Sequence, residues 1–422
     1  MRIPLSDPAK KFFFRGSLLL ATTAYIALAA IQFAAAYFAG KPDLADRQRA
    51  AQLQPGNAEY RNRIGRYFSL VQDWPSAEEN YRAAVALNPH RASYWLDLAT
   101  SYQFLGNRAA QQVSLEHAIS SDAWTPDVAW QAANLYLSAG DTDRAMREFR
   151  MVLGNDPYLP PAALQLCWRA KPDVDGLLKD VVPPVSSVYS AFLELLISKE
   201  EMGPAATVWA RSVELRQPIE NRYIFDYVRF LIRKQKVEDA LKVWSQSAKL
   251  SNLSTYQPSS ENLVVNGDFS LPLLNAGFDW LYEKSAHVSL ALDSTQAYFG
   301  PHSLRISFEG GPIEDAGIRQ LIPVEPNTNY EFSAYFRSQN LEGAGGPQFV
   351  LDDFYSGASY FTSEPLIGGD TWKQVSGSFL TDGQTKLLEM HLKKTPPGSA
   401  IRGKLWIDAV RLAPANHREK PL

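Results

Sequence analysis

Residues 262–270 read "NLVVNGDFS", and this stretch marks a change in the hydrophobic pattern of the chain. Roughly two hundred residues before it carry apolar side chains at helical spacing, whereas the residues after it alternate apolar and polar side chains. Asn266, Gly267 and Asp268 form a turn signal inside the stretch. The stretch therefore predicts the first strand and turn of a β-structured region that follows a helical one.

The segments beyond this point predict a series of antiparallel strands. In "SLRISF", Leu304, Ile306 and Phe308 alternate with polar neighbours, and "NYEFSAYFRS" and "KLLEMHLKK" alternate in the same way. Turn signals such as "PNTN" and "IGGDT" separate these runs. Several short strands within about 150 residues are typical of an antiparallel β-sandwich.

The order of these segments also carries a family resemblance. "NLVVNGDFS", "HSLRISF", "IPVEPNTNYEFSAYFRS", "TWKQVSGSFLT" and "GKLWIDAVRL" follow one another between residues 262 and 414. This order resembles the carbohydrate-binding modules of the family four, nine and twenty-two type, and the first and last segments are its specific parts. The resemblance implies a galactose-binding-like jelly roll that binds sugar.

The same resemblance implies a structural calcium ion, because the first and last strands of this family often help to hold one. Asp268 and Asp408 match the acidic places of these two segments. Ser270 stands where the family has another acidic residue, and calcium prefers about six to eight oxygen ligands. The alternative interpretation is a turn Asp and a strand-end Asp that bind no metal, with no cofactor at all.

Sugar binding requires aromatic faces and fixed polar groups close to them. The aromatic candidates on loops or outward-facing strand positions are Trp280, Tyr282, Tyr335, Tyr355, Tyr360 and Trp372. The polar candidates are Glu389 and His391, together with Glu331 and Arg337. The alternative is that these rings fill the core, as most aromatic residues of a sandwich do.

The region before residue 250 contains an internal repeat of 34 residues. The repeated positions include an aromatic set and a small-residue set, namely Phe68, Tyr102 and Tyr136, and Gly65, Ala99 and Ala133. A small residue lets two antiparallel helices approach closely, and an aromatic ring fills the gap between them. The spacing therefore predicts a stack of helical hairpins.

This repeat resembles the tetratricopeptide repeat family across residues 58–157, with "AEYRNRIGRYFSLVQDWPSAEENYRAAVALNP" as the clearest copy. Two further hairpins are predicted between residues 188 and 250, where Trp209 and Trp244 hold equivalent places. The resemblance implies a groove that takes a protein partner. The candidate groove residues are Asn62, Arg66, Thr100, Gln103, Trp130 and Asn134. The alternative is that they form a solvated face.

The segment 17–39, "SLLLATTAYIALAAIQFAAAYFA", contains no charged residue. A helix of this length would be roughly 35 Å long, which exceeds the ~30 Å of a bilayer core. The sequence therefore predicts a single transmembrane helix.

Lys10, Lys11 and Arg15 precede this segment, so the positive-inside tendency places residues 1–16 in the cytoplasm and the remainder outside it. A cleaved signal peptide is the alternative interpretation, because Ala34–Ala36 offers a small-residue cleavage site. Both interpretations put the bulk of the chain in an extracytoplasmic compartment.

Composition and motifs restrict the function further. The net charge of −3 gives no electrostatic footprint for nucleic acid, and the single cysteine, Cys167, allows no disulfide within the chain. No HExxH pair, GxSxG elbow or Walker loop occurs, so we expect a protein that is not an enzyme. A hydrolase that uses a carboxylate pair across the sandwich is the enzymatic alternative.

The sequence thus predicts a multidomain protein with a transmembrane helix, an all-α tetratricopeptide-type solenoid and an all-β jelly-roll sandwich. The expected function is a membrane-anchored envelope protein that binds a protein partner and a glycan, in polysaccharide assembly, export or cell-wall organisation. A pure protein–protein scaffold is the alternative. The expected segments are 1–16, 17–39, the helical repeats 42–250, a linker 251–261, the sandwich 262–414 and a tail 415–422.

Overall fold

The structure is a computed structural model that describes residues 8–415. Residues 1–7 of the expected cytoplasmic segment and residues 416–422 of the expected tail lie outside the described residues. The chain divides into two compact units between Pro184 and Val185. The helical region that the sequence predicts as one domain is therefore shared between the two units.

The first helix is apolar and mostly exposed. Helix α1 spans Pro8–Ala39, and within the described residues one stretch, Lys10–Ala39, is long and apolar enough to cross a membrane. Its C-terminal end packs against α2, Leu44–Leu53, where Ala35 and Ala39 are buried. The helix therefore combines an exposed apolar part with a packed end.

The predicted repeats appear as helical hairpins with the predicted period. The helices of the first unit that follow α2 are α3 Ala58–Leu70, α4 Trp74–Leu87, α5 Ala92–Phe104, α6 Arg108–Ser121, α7 Pro126–Ser138, α8 Thr142–Asn155, α9 Pro160–Ala170 and α10 Val174–Asp180. The starts of α3, α5, α7 and α9 are each 34 residues apart. The repeat prediction is confirmed.

Small residues explain how closely each pair of helices packs. A Cβ added at Gly65 would lie 2.6 Å from the Tyr81 ring, so only glycine permits this approach of α3 and α4. Ala77 and Ala84 of α4 are fully buried beside the same ring. The Tyr81 ring therefore fills the space beside three small residues, Gly65 of α3 and Ala77 and Ala84 of α4.

Four helices belong to the second unit together with the sandwich. They are α11 Ser186–Ser198, α12 Met202–Leu215, α13 Asn221–Arg233 and α14 Val237–Ser247. Trp209 and Trp244 are both buried on the second helix of their hairpin, at the equivalent places expected from the sequence. These helices form two further hairpins, as predicted.

The C-terminal region is a sandwich of two five-stranded antiparallel sheets. The first sheet has the order β1-β4-β9-β6-β7 and the second has the order β2-β3-β10-β5-β8. The strands are β1 Leu281–Tyr282, β2 Val288–Asp293, β3 Ser303–Ile313, β4 Asp315–Pro323, β5 Asn329–Gly343, β6 Gly346–Asp353, β7 Ser359–Thr362, β8 Lys373–Leu380, β9 Leu387–Thr395 and β10 Ser399–Pro414.

The core lies between the two sheets and follows the alternation of the sequence. Leu388, Met390 and Leu392 of β9 are buried, while Glu389 and the other odd-numbered neighbours point to the outer face. Strands β3 and β5 alternate in the same way. The all-β sandwich and its inward residues are confirmed.

Residues 262–270 do not form the predicted first strand, and this detail of the prediction is wrong. The stretch forms a turn in which Asn266 and Phe269 adopt positive φ angles of 51° and 50°, which is incompatible with a regular strand. It is nevertheless fastened to β10, because Leu263 donates to the carbonyl of Leu412 at 2.8 Å. Val264 and Phe269 of the stretch are buried in the core, and Leu263 packs against it.

The predicted linker 251–261 is packed rather than free. Leu253 and Tyr256 are buried, and the carbonyl of Tyr256 accepts a hydrogen bond of 2.7 Å from Nε1 of Trp244. The Tyr256 hydroxyl in turn donates to the carbonyl of Pro272. The segment therefore ties α14 to the start of the sandwich.

Candidate functional site

The outer face of the first sheet carries a cluster of charged side chains. Alternation along β4, β6 and β9 turns every second residue away from the core, and the register places Arg319 opposite His391 and Asp352 opposite Glu389. Because directly opposed residues of antiparallel strands are close neighbours, these side chains meet on one surface. We call this surface the charged face; its residues are Asp315, Arg319, Asp352, Glu389, His391 and Lys393.

Arg319 and Glu389 form the centre of the charged face. The guanidinium of Arg319 lies 3.2 Å from Glu389 and 2.6 Å from Glu283. Glu389 also accepts a hydrogen bond of 3.1 Å from Nε2 of His391, while Nδ1 of His391 lies 3.5 Å from Asp315. The acidic and basic groups therefore fix one another in place across three strands.

This arrangement changes the proton affinity of His391. Burial opposes the charged imidazolium, but hydrogen bonds to Asp315 and Glu389 outweigh it and raise the pKa of His391 to about 9. Burial alone would raise the pKa of Glu389, yet the hydrogen bond from His391 and the charge of Arg319 hold it below its ordinary value. At neutral pH both groups are charged.

Helix α13 lies beside the charged face. The hydroxyl of Tyr355, which follows β6, donates a 2.8 Å hydrogen bond to the carbonyl of Ile232 near the C-terminal end of α13. Lys386 before β9 forms an ion pair of 2.8 Å with Glu238 of α14. The last helical hairpin is therefore attached to the first sheet by hydrogen-bonded contacts.

The attachment leaves a cleft between α13 and the first sheet. Its volume is about 440 Å³, within the range of small-ligand sites. Its apolar lining includes Val228 and Ile232 of the helix and Leu281 and Leu321 of the sheet. Its polar groups are supplied by Arg229, Arg233, Arg319, Glu389 and the hydroxyl of Tyr355.

A second recess of about 470 Å³ adjoins the cleft on the far side of Arg319. Its lining includes Asp315 and His391 of the charged face, and Glu283 and Lys284 of the loop after β1. Arg319 lines both hollows. The two hollows therefore share one cationic group that hydrogen-bonding ligands can reach from either side.

Three of the predicted glycan-binding residues lie at this site. Glu389 and His391 are part of the charged face, and Tyr355 lines the cleft, although its hydroxyl is used by α13. Tyr282 lies at the edge of the sandwich instead, where it is 42% exposed and lines a recess between β1 and β2.

The structure corrects two of the aromatic candidates. Trp280 is only 1% exposed, stacks on Phe269 and donates its Nε1 to the carbonyl of Asn266, so it is a core residue. Tyr360 packs against the core and forms a 2.7 Å hydrogen bond with Thr385. Neither ring offers a free face to a sugar.

Tyr335 and Trp372 lie on the second sheet, away from the charged face. The ring of Tyr335 stacks on Tyr298 at 3.7 Å, and Tyr298 lies 5.9 Å from Trp372. Because these rings cover one another, only part of each face is available to a ligand. The sequence candidates thus divide between two opposite surfaces of the sandwich.

Sequence reasoning missed Arg319, Asp315 and Asp352. These residues lie on strands β4 and β6, and only the pairing of β4 with β9 and of β9 with β6 brings them to Glu389 and His391. It also missed the contribution of α13, since no local pattern indicates which surface a repeat helix contacts.

The candidate groove residues of the repeats are mostly engaged within the helices. Asn62 is buried, and both Asn62 and Arg66 bond to Asp97 at 2.9 Å, which ties α3 to α5. The other four candidates, Thr100, Gln103, Trp130 and Asn134, are half-buried. Thr100, Trp130 and Asn134 contact residues of their own hairpin. Arg66 remains exposed enough to meet a partner.

The two expected calcium ligands, Asp268 and Asp408, are both hydrogen-bonded to neighbouring residues. The carboxylate of Asp408 accepts backbone N–H groups from Tyr298, Phe299 and Ala409 at 2.6–2.9 Å, which use both oxygens. Asp268 accepts the backbone N–H and hydroxyl of Ser270, the residue that replaces the acidic one of the family. Burial, with the charge of Asp268 as a smaller cause, raises the pKa of Asp408. Asp408 thus fastens the loop before β3.

Comparison with protein families identifies the sandwich. Residues 261–398 match the family model CBM_4_9, which is described as a carbohydrate binding domain. This match supports a carbohydrate-binding domain in the C-terminal part of the chain. The search of curated proteins found no match.

The chain is also similar to many solved structures, including the following three. A structure described as "CBM4 structure and function" shares 12% identity, with 36% of this chain and 99% of that chain covered and a TM-score of 0.29. The CBM22-1 xylan-binding domain of Xyn10C from Paenibacillus barcinonensis shares 17% identity, with 36% and 94% covered and a TM-score of 0.26. MamA shares 16% identity, with 41% and 85% covered and a TM-score of 0.25.

Proposed function

We propose that this protein is a membrane-anchored, non-enzymatic envelope protein whose sandwich binds a glycan and whose helical repeats recruit a protein partner. Helix α1 is the anchor, with the short N-terminus in the cytoplasm and the bulk of the chain on the extracytoplasmic side. The combination of a glycan site and a partner site suits a role in polysaccharide assembly or export, or in cell-wall organisation.

The cleft beside the charged face is the observation that carries the glycan proposal. A sugar-binding site needs apolar surface for the ring faces and a few fixed polar groups for the hydroxyls. The cleft has Leu281 and Leu321 as apolar surface, and Arg319 and Glu389 as fixed polar groups, all on a domain of a carbohydrate-binding family. We therefore assign the glycan to this cleft.

Each polar group has a defined part in this proposal. The guanidinium of Arg319 is a planar donor of several hydrogen bonds, and its side chain is 40% exposed although it is ion-paired. Glu389 accepts hydrogen bonds from sugar hydroxyls, and Asp315 and Arg319 keep the surrounding charges balanced. Since these groups are already fixed, little side-chain entropy is lost when a ligand binds.

The charge state of Glu389 supports the non-enzymatic part of the proposal. A glycosidase needs one carboxylic acid with a raised pKa to protonate the leaving group. The pKa of Glu389 is lowered instead, because the favourable contacts with His391 and Arg319 outweigh its burial. Glu389 is therefore suited to hold a hydroxyl rather than to donate a proton.

A pure scaffold is the second candidate, and two observations favour it. Leu321 points to the outer face of the first sheet but is only 7% exposed. The hydroxyl of Tyr355 is already hydrogen-bonded to α13. In this alternative, the outer face of the first sheet holds the helices and does not bind a sugar. The two functions differ in whether the cleft accepts a ligand.

The test is retention of the full-length protein, in detergent, on cell-wall and exopolysaccharide preparations. We expect retention by the wild type and a loss of about tenfold in affinity for Arg319→Gln, because the cleft loses its central donor. Arg402→Gln is the matched control, since Arg402 is an exposed arginine of β10 in the second sheet. The thermal midpoint of each variant reports whether the fold is retained.

Three outcomes contradict the proposal that the cleft binds a glycan. Equal losses for Arg319→Gln and Arg402→Gln would show charge-driven, nonspecific retention. No retention of the wild type, combined with capture of a protein that depends on the repeats, would establish the scaffold. Loss of retention by Tyr335→Ala and Trp372→Ala, with Arg319→Gln unaffected, would move the glycan to the second sheet.

A further inference from the structure

Contacts at the C-terminal end of α1 determine where along this helix the first repeats are attached. Ala35 and Ala39 of α1 pack against α2 and α3, and Gln32 lies beside the turn 54–57 and Asn88. The turns that precede α3 and α5 are therefore level with Gln32. Residues of α1 before Gln32 extend beyond this edge of the repeats without burial.

The exposed part of α1 is just long enough to cross a bilayer. The expected span 17–39 includes Ala35 and Ala39, which are packed against α2 and α3. The stretch from Phe12 to Ile31 is instead exposed throughout and roughly 20 residues long, enough for the ~30 Å of a hydrocarbon core. Its one charged residue, Arg15, lies near its N-terminal end, where a long side chain reaches the headgroups. Lys10 and Lys11 precede it. If α1 is the anchor of the proposed function, the outer boundary of the hydrocarbon therefore lies close to Gln32, at the level of these turns.

The same edge of the repeats presents aromatic side chains at a fixed period. Helices α3, α5, α7 and α9 alternate with antiparallel neighbours, so the turns before them all lie on this edge. His90, Trp124 and Tyr158 occupy the same place in three successive turns, 34 residues apart, and all three are exposed. Trp124 is 83% exposed and Tyr158 is 88% exposed.

The same type of hydrogen bond stabilises each of these three turns. Two residues before the ring, an Asn or Asp side chain accepts the backbone N–H of the ring residue, at 3.3 Å for His90, 3.3 Å for Trp124 and 2.7 Å for Tyr158. The acceptors are Asn88, Asp122 and Asp156. The three rings thus stand on a repeated, hydrogen-bonded turn.

We propose that these inter-repeat turns, with Trp124 and Tyr158 at their tips, rest in the lipid headgroup region of the membrane that α1 crosses. Tyr and Trp are enriched at membrane interfaces because one part of the ring is apolar and the other part forms hydrogen bonds. This contact orients the first repeats on the bilayer. The inference rests on the anchor of the proposed function, but not on glycan binding.

Site-specific labels on the full-length protein in lipid nanodiscs test the contact. Cys167 is buried, and burial raises its pKa to about 12, so a thiol-reactive fluorophore reacts with introduced cysteines. The variants are Trp124→Cys, Tyr158→Cys and Ala21→Cys, the last in the middle of the exposed part of α1. The discs contain phosphatidylethanolamine and phosphatidylglycerol, with nitroxide-bearing phosphatidylcholine as the quencher.

The matched control is Val71→Cys. Val71 lies in the turn between α3 and α4, on the opposite edge of the repeats. It is an apolar residue that is 55% exposed, so it tests whether quenching depends on the edge of the repeats or only on an exposed apolar position. We expect labels at positions 124 and 158 to be quenched by nitroxides near the headgroups, at least about twofold more than the label at 71. The label at 21 is expected to be quenched by nitroxides near the bilayer centre.

The labels also separate failure of the contact from failure of the anchor. Quenching at 21 with no difference between 124, 158 and 71 would overturn the proposed contact while the anchor stands. An unquenched label at 21 would overturn the anchor and the contact together. Immobile but unquenched labels at 124 and 158 would assign this edge to a protein neighbour and would also overturn the proposal.

Discussion

The hairpins of the first unit and the last hairpin of the second unit share one plan but differ in their neighbours. Helices α3 to α8 pack against helices that lie one or two places away in the sequence. The hairpin α13–α14 also contacts the sandwich, through Tyr355, Lys386 and Trp244. The first arrangement is typical of a repeat array with local contacts, whereas the second makes a repeat part of another domain.

Trp244 shows how the repeat plan is adapted to this new neighbour. Its ring is fully buried, lies edge-on to Phe278 at 5.8 Å and occupies the space above Gly277. Gly277 has a positive φ of 62°, and a Cβ there would overlap the indole ring. Trp209, at the equivalent place of the preceding hairpin, contacts Tyr227 of the next helix instead. One sequence position thus serves helix stacking in one copy and domain attachment in the next.

The comparison predicts its largest effect for Trp244→Ala. Removing a fully buried tryptophan leaves a large cavity and should lower the free energy of unfolding by about 3–5 kcal/mol. Because the ring joins the helices to the sandwich, amide hydrogen exchange should accelerate both in α14 and in the loop before β1. Phe149→Ala is the control, since Phe149 is also fully buried but lies in α8 of the first unit. Exchange in the sandwich that rises equally in both variants would contradict the special role of Trp244.

A smaller effect is expected for Gly65→Leu in the first hairpin. The new side chain would meet the Tyr81 ring at 2.6 Å or less and should lower the free energy of unfolding by roughly 1–3 kcal/mol. Chemical denaturation of the full-length protein measures the change. Gly154→Ala in α8 is the control, because a Cβ there meets nothing within 4 Å and alanine favours the helix. An unchanged stability of Gly65→Leu would mean that α3 and α4 are not closely packed.

The third effect is confined to a range of pH and arises from the protonation of His391. Its pKa in the folded state, about 9, lies above its ordinary value near 6.5, so the imidazolium stabilises the fold fully below pH 6.5. This contribution, roughly 1–3 kcal/mol, is lost as the pH rises from 6.5 through 9. The difference in unfolding free energy between wild type and His391→Gln should therefore shrink across that interval. A difference that is constant from pH 6 to pH 10 would show that Asp315 and Glu389 do not hold the proton.

The sequence was sufficient to predict most of the fold because the signals are local and repeated. The 34-residue period locates the helices of the repeats, and the alternation in "KLLEMHLKK" assigns Leu388 and Met390 to the core. The turn at Asn266 was visible as well. The backbone hydrogen bonds that join this stretch to Leu412 and Val410 of β10 are tertiary contacts that local patterns do not contain.

The candidate site could be predicted only in part, for a physical reason. Glu389 and His391 were visible as outward residues of one strand, but their partner Arg319 is 70 positions away from Glu389 and is brought near by strand pairing. Aromatic content was a poor guide, since Trp280 and Tyr360 belong to the core or pack on it. The wall formed by α13 depends on tertiary packing alone.

The packed segment 251–261 determines how this protein can be divided for study. A fragment that starts at residue 262 loses Tyr256 and Trp244, which leaves Phe278 and Gly277 uncovered, and it loses the helical wall of the cleft. A fragment that starts at Val185 keeps these contacts, because the last four helices and the sandwich form one compact unit. Ligand screens on the shorter fragment would therefore sample an opened surface with different selectivity from that of the intact protein.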